Sequence, residues 1–131
     1  MARRTVRSFP DRKISETFLD FAAPLLQDLP SDALEDRVRE ALRVSYTAWN
    51  AVVFADVLKD QRHLSEIRRL TADRPEAALL VEQMISRKRA LFANDPRLIG
   101  DWEVTKTEGG INLHADARDP YSMPRDRTDP R

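Results

Sequence analysis

Residues 44–58 read Val-Ser-Tyr-Thr-Ala-Trp-Asn-Ala-Val-Val-Phe-Ala-Asp-Val-Leu, a run with almost no charge on any side. It lies inside a longer helical pattern, 32–59, whose first half keeps a charged face with Glu35, Asp36, Arg37, Arg39, Glu40 and Arg43. A helix that is apolar all round is buried all round. The run therefore predicts either the spine of the fold or part of a subunit interface. Val38, Leu42, Ser45, Trp49 and Val52 share one face, while Val44, Ala51, Phe54 and Leu58 share the opposite one, so both sides of the second half need partners. Ala41, Ala48 and Ala55 recur every seven residues, and small side chains on one line let a neighbouring helix approach closely.

The remaining pattern is also helical up to residue 93. Ile14, Phe18, Phe21, Ala22, Leu25 and Leu29 follow helical spacing and predict a first helix over 14–28. Pro24 sits inside it, removing a backbone donor, so a kink or restart is expected near Asp20–Pro24. Ser31 is placed to cap the long helix. Asp60-Gln61-Arg62 is expected to break that helix, and Leu64, Ile67 and Leu70 mark a short third one. Asp73, Pro75 and Glu76 read as a capped start of a fourth helix running to Phe92. Asn94-Asp95-Pro96 stops it.

The period then changes. Trp102, Val104 and Lys106 alternate with Asp101, Glu103 and Thr105, and after a glycine turn Ile111, Leu113 and Ala115 alternate with Asn112 and His114. A two-residue Gly109-Gly110 loop would set Val104 opposite Ala115 and keep the apolar side chains on one face. A three-residue loop would set Val104 opposite His114 and split the faces. An even loop is expected. A lone hairpin is marginal in water, so this one must pack on the helices or pair with another strand.

The expected fold is thus mainly α: about four helices around a long central one, a C-terminal two-stranded β-hairpin, and disordered termini. Three segments follow: a flexible basic arm over 1–12, a single helical domain with its hairpin over 13–115, and a disordered tail over 116–131 that carries Pro120, Pro124 and Pro130 among charges. At 131 residues this is one domain by size.

Basic and acidic residues balance at 22 each, which argues against a dedicated nucleic-acid binder. The charge is uneven, however, with five basic groups and one acid in residues 1–13. The chain has no cysteine, which excludes disulfides and thiolate chemistry and suits a reducing cytoplasm, the expected location. No secretory signal or membrane span is expected: the basic start has no apolar stretch behind it, and the run at 44–58 is short and broken by Asn50 and Asp56.

The best candidate for a pocket or interface is Tyr46, Trp49, Asn50, Val53, Phe54 and Asp56, with aromatic walls and an amide and a carboxylate to orient a ligand. The competing reading is that Asn50 and Asp56 bond a neighbouring helix or backbone and set the packing register. His63 and Glu66 stand three apart, but a di-metal carboxylate site needs the reverse order and a second copy, so no metal is expected. No cofactor motif is present, and Glu16 with Asp20 reads as a solvated face rather than an acid–base pair. No Ser, His and acid set reads as a triad, so no enzymatic activity is expected.

These readings point to a protein–protein association module, probing either a second copy or another protein, with Trp49 or Phe54 as the anchor and two open strand edges on the hairpin. The alternative is a nucleic-acid accessory factor using Arg3, Arg4, Arg7, Arg87, Lys88 and Arg89. A catalytic or small-molecule-binding helical bundle is the third reading.

Overall fold

The chain folds as α1 (Ile14–Gln27), α2 (Glu35–Asp56), α3 (Arg62–Thr71), α4 (Pro75–Leu91), β1 (Leu98–Thr107) and β2 (Gly110–Arg118), followed by a single 3-10 turn, Pro120–Ser122. This is a computed structural model, and it describes residues 13–30 and 32–122. The fold is mainly α, with a C-terminal antiparallel hairpin. The basic arm over 1–12, Ser31 and the last nine residues lie outside the described part.

The uncharged run forms the second half of α2, and α2 is the spine. It spans 22 residues, about 33 Å at ~1.5 Å per residue. Ala48, Trp49 and Val53 enter a core shared with Phe18, Phe21 and the hairpin residues Val104 and Leu113. Ala51, Val52 and Ala55 enter a second core with Leu64 and Ile67 of α3 and Val81 and Ile85 of α4. The alanine line is divided between the two: Ala48 faces the first core and Ala55 the second. Seven residues of the run, Ser45, Ala48, Trp49, Ala51, Val52, Val53 and Ala55, are thus buried within one chain, while Val44, Tyr46, Phe54, Val57 and Leu58 are half-buried, so the run is not buried all round.

Helix α1 continues through Pro24. A proline leaves the carbonyl four residues back, here that of Asp20, without its usual donor. Arg87 of α4 supplies one: its Nη2 donates to Asp20 O at 2.8 Å and its Nε to Phe21 O at 3.0 Å. This makes the defect a docking point for α4. Arg87→Met should therefore cost about 1–2 kcal/mol, and clearly less in a Pro24→Ala background, where residue 24 regains its N–H. A double-mutant cycle by chemical denaturation reads the coupling; additive losses would sever the link between Arg87 and Pro24.

Several helix ends differ from the sequence expectation. Helix α2 starts at Glu35 behind Leu34 without a side-chain cap; Glu35 and Asp36 in its first turn answer the positive end of the helix dipole instead. It ends at Asp56, earlier than Asp60, because Lys59 turns into the left-handed region (φ 60°) and Asp60 N–H closes on Phe54 O at 2.9 Å. Asp73 does not cap α4: Arg74 precedes Pro75, and no side chain bonds the first turn.

The hairpin loop is even, as expected, but one position earlier. It comprises Glu108 and Gly109, so Val104 pairs with Leu113 and Lys106 with Ile111. Gly110 follows with φ 152°, a conformation side-chain-bearing residues rarely adopt, and this places the glycine at the start of β2. Trp102, Val104, Ile111 and Leu113 still share the inner face, Trp102 meeting Phe18 edge-on at 5.6 Å. A bulge between Ile99 and Trp102 breaks the alternation, which is why Leu98 and Ile99 are both buried. Strand β2 runs on to Arg118, opposite Leu98 and Ile99, so residues 116–118, expected in a disordered tail, are instead ordered by cross-strand pairing.

Candidate functional site

The hairpin's two edges are treated differently. In this register Ile99, Val104 and Lys106 turn main-chain groups away from β2. Side chains of α2 meet them. Asn50 pairs with Ile99 in both directions: its Nδ2 donates to Ile99 O at 2.9 Å, and its Oδ1 accepts from Ile99 N–H at 2.8 Å. Arg39 Nη2 donates to Val104 O at 3.3 Å, and Glu35 Oε1 accepts from Lys106 N–H at 3.1 Å. The Lys106 bond, then Arg39, hold the Glu35 carboxyl below its ordinary range. Just before β1, Trp49 Nε1 donates to Arg97 O at 2.7 Å. Helix α2 thus acts as a third strand toward β1, and the expectation of two open edges is corrected at β1. On β2 the outward positions are Ile111, Leu113, Ala115 and Ala117, and no partner takes their main-chain groups among the described residues.

A cleft of about 430 Å³ opens between α2, α3 and the base of the hairpin. Tyr46, Asn50 and Phe54 from α2 line it, with Ile67 and Leu70 of α3 and Leu98 of β1. The Phe54 ring stacks on His63 at 3.9 Å, 14° from parallel. At the rim, Glu66 is bound by Arg69 through 2.6 and 3.2 Å contacts, which lower its pKa. Across from it, Arg118 reaches over the bulge toward Asp101.

Of the six residues grouped from the sequence, Tyr46, Asn50 and Phe54 come together here and the other three do not. Trp49 and Val53 are fully buried in the first core. Trp49 packs on Phe21 at 5.2 Å and Phe92 at 5.6 Å. Asp56 is the last residue of α2, is exposed, and forms a two-bond pair with Arg89 of α4 at 2.9 and 3.0 Å. The residues missed were His63 as a wall, Gly100 and Arg118. Only Gly100 left a signal: an isolated glycine at the head of an alternating stretch marks a bulge.

The basic group on α4 is committed to the fold. Arg87 bonds the Asp20 and Phe21 carbonyls inside α1, Arg89 holds Asp56, and Lys88 is buried, its Nζ donating to Phe92 O at 2.7 Å and Asp95 O at 2.8 Å, 4.2 Å from the Trp49 ring centroid. Asp95 in turn takes the Arg97 guanidinium at 2.6 and 2.9 Å. Arg3, Arg4 and Arg7 lie outside the described residues. Among the described residues no group of three or more His, Asp and Glu is gathered to hold a metal ion, and no helix is long and apolar enough to cross a membrane. No family model, curated protein or solved structure matches the chain.

Proposed function

We propose that this protein is an association module whose partner is a second copy of itself, joined through the outer edge of β2. The observation that carries the reading is the asymmetry of the hairpin. Strand β1 is covered by Asn50, Arg39 and Glu35, while β2 presents four outward residues with unpartnered main-chain groups among the described residues. A free strand edge is a template for another strand. Antiparallel self-pairing centred on Ala115 would set Leu113 opposite Ala117 and His114 opposite Asp116 of the other copy, twice by symmetry. It would turn a marginal two-stranded sheet into a four-stranded one. The nucleic-acid reading draws less support, since Arg87, Lys88 and Arg89 already have partners in the fold.

Proline separates the edge from the fold. Ala117 is exposed and its N–H faces outward, so Ala117→Pro removes an edge donor without touching the β1 ladder. Asn112 pairs inward with Thr105, so Asn112→Pro should disrupt the hairpin itself. Sedimentation of the wild type should show a dimer, and Ala117→Pro a monomer that keeps the wild-type far-ultraviolet circular dichroism and has a melting temperature independent of concentration. A wild type that stays monomeric at every concentration, or an Ala117→Pro variant that still dimerises, would sink the proposal.

A further inference from the structure

We infer that the cleft between α2, α3 and the hairpin base binds a small planar aromatic carboxylate, with its ring against Tyr46 and the Phe54–His63 pair and its anion on Arg118. The size is right for such a molecule: about 430 Å³ falls at the lower end of the range for small-ligand sites. The walls are apolar and aromatic, from Tyr46, Phe54, Ile67, Leu70 and Leu98. The Asn50 amide in the wall already bonds the Ile99 main chain with one N–H and one oxygen lone pair, so it keeps one donor and one acceptor site beside a wall that is otherwise mostly contact area.

The charge at the mouth selects the anion. Five ionisable side chains line this cleft: Tyr46, His63, Glu66, Asp101 and Arg118. Glu66 is neutralised by its two bonds to Arg69. Asp101 is the only partner of Arg118 among the described residues, at 3.7 Å, with its own side chain 93% exposed. Such a pair contributes little and is readily exchanged. A guanidinium presents a flat fork that matches a carboxylate through two parallel bonds.

Gly100 holds that fork in place. A methyl added there would stand 2.7 Å from Arg118 Nε and 3.0 Å from its Cγ, so the arginine stem lies directly on the glycine backbone at the bulge. The missing side chain is what lets Arg118 lie along the rim rather than lift into solvent.

The test uses naphthoate as probe, with naphthylmethanol and naphthylmethylamine as neutral and cationic counterparts, titrated into full-length protein and followed by amide chemical shifts. Naphthoate should bind tightest and shift Phe54, Gly100 and Ile67. Arg118→Gln, on an exposed side chain, should weaken naphthoate about tenfold or more and leave naphthylmethanol unchanged. Gly100→Ala, which keeps the charge but displaces it, should fall between. Equal affinity for naphthoate and the alcohol, tighter binding of the amine, shifts outside the cleft, or no loss in Arg118→Gln would each overturn the assignment.

Discussion

Val53→Asp should abolish cooperative folding rather than release a soluble monomer. Val53 is 1% exposed and sits in the first core with Phe18, Phe21 and Trp49. An ionised carboxylate there would be desolvated among apolar side chains, and burying a charge in such a place costs several kcal/mol. That is a large share of the ~5–15 kcal/mol by which domains are stable. Val52→Asp should do the same through the second core, since Val52 is buried against α3 and α4. Leu79→Asp is the control: at 61% exposure it should change stability by no more than about 0.5 kcal/mol. Circular dichroism melts separate the cases. A folded, monomeric Val53→Asp would mean that this part of α2 meets another subunit and not its own chain.

The burial of α2 was legible because the run at 44–58 lacks a charged face, and no packing detail is needed for that inference. The hairpin was legible from parity alone: any even loop keeps Trp102, Val104 and Leu113 on one side. What the chain could not display were partners far apart in sequence. Pro24 announced a carbonyl without a donor, but nothing local named Arg87 as the group that answers it. Asn50 announced a polar group in an apolar run, and its partner, the Ile99 backbone, lies 49 residues on.

The candidate site was half legible for the same reason. Tyr46, Asn50 and Phe54 stand four apart and share a face by helical geometry, so they arrive together in the cleft. Trp49 and Asp56 also share a stripe by spacing, yet one is buried and the other exposed: Asp56, the last residue of α2, is held at the surface by Arg89. The opposite wall depends on the bulge at Gly100, which turns both Leu98 and Ile99 inward and carries Arg118 to the rim. A bulge is decided by the pairing of two strands, and neither strand shows it alone.

Lys88 supplies the second large effect, through pH. It is 3% exposed between α4 and the turn into β1, and burial pushes its pKa down to about 8, with Asp95 and Asp56 only partly offsetting the cost of a desolvated ammonium. In the unfolded chain the same group keeps its ordinary value of 10.5. Below the folded value both states are protonated, so the fold carries the full cost of the buried charge. Between about 8 and 10.5 the folded state releases its proton while the unfolded state holds it, so stability rises with pH across that window. The gain is on the order of 3 kcal/mol, from ~1.4 kcal/mol per unit of pKa difference. Lys88→Met keeps the stem beside Trp49 but has no proton to lose, and it also leaves Phe92 O and Asp95 O without their donor. The expected result is a wild-type advantage over Lys88→Met that widens steadily from neutral pH to about 10.5, read by urea denaturation at each pH. Because the other titrating groups are common to both proteins, they cancel in the difference. An advantage that stays flat across the window would mean the ammonium is as well solvated in the fold as out of it, and the Lys88 carbonyl cage would have to be open to water.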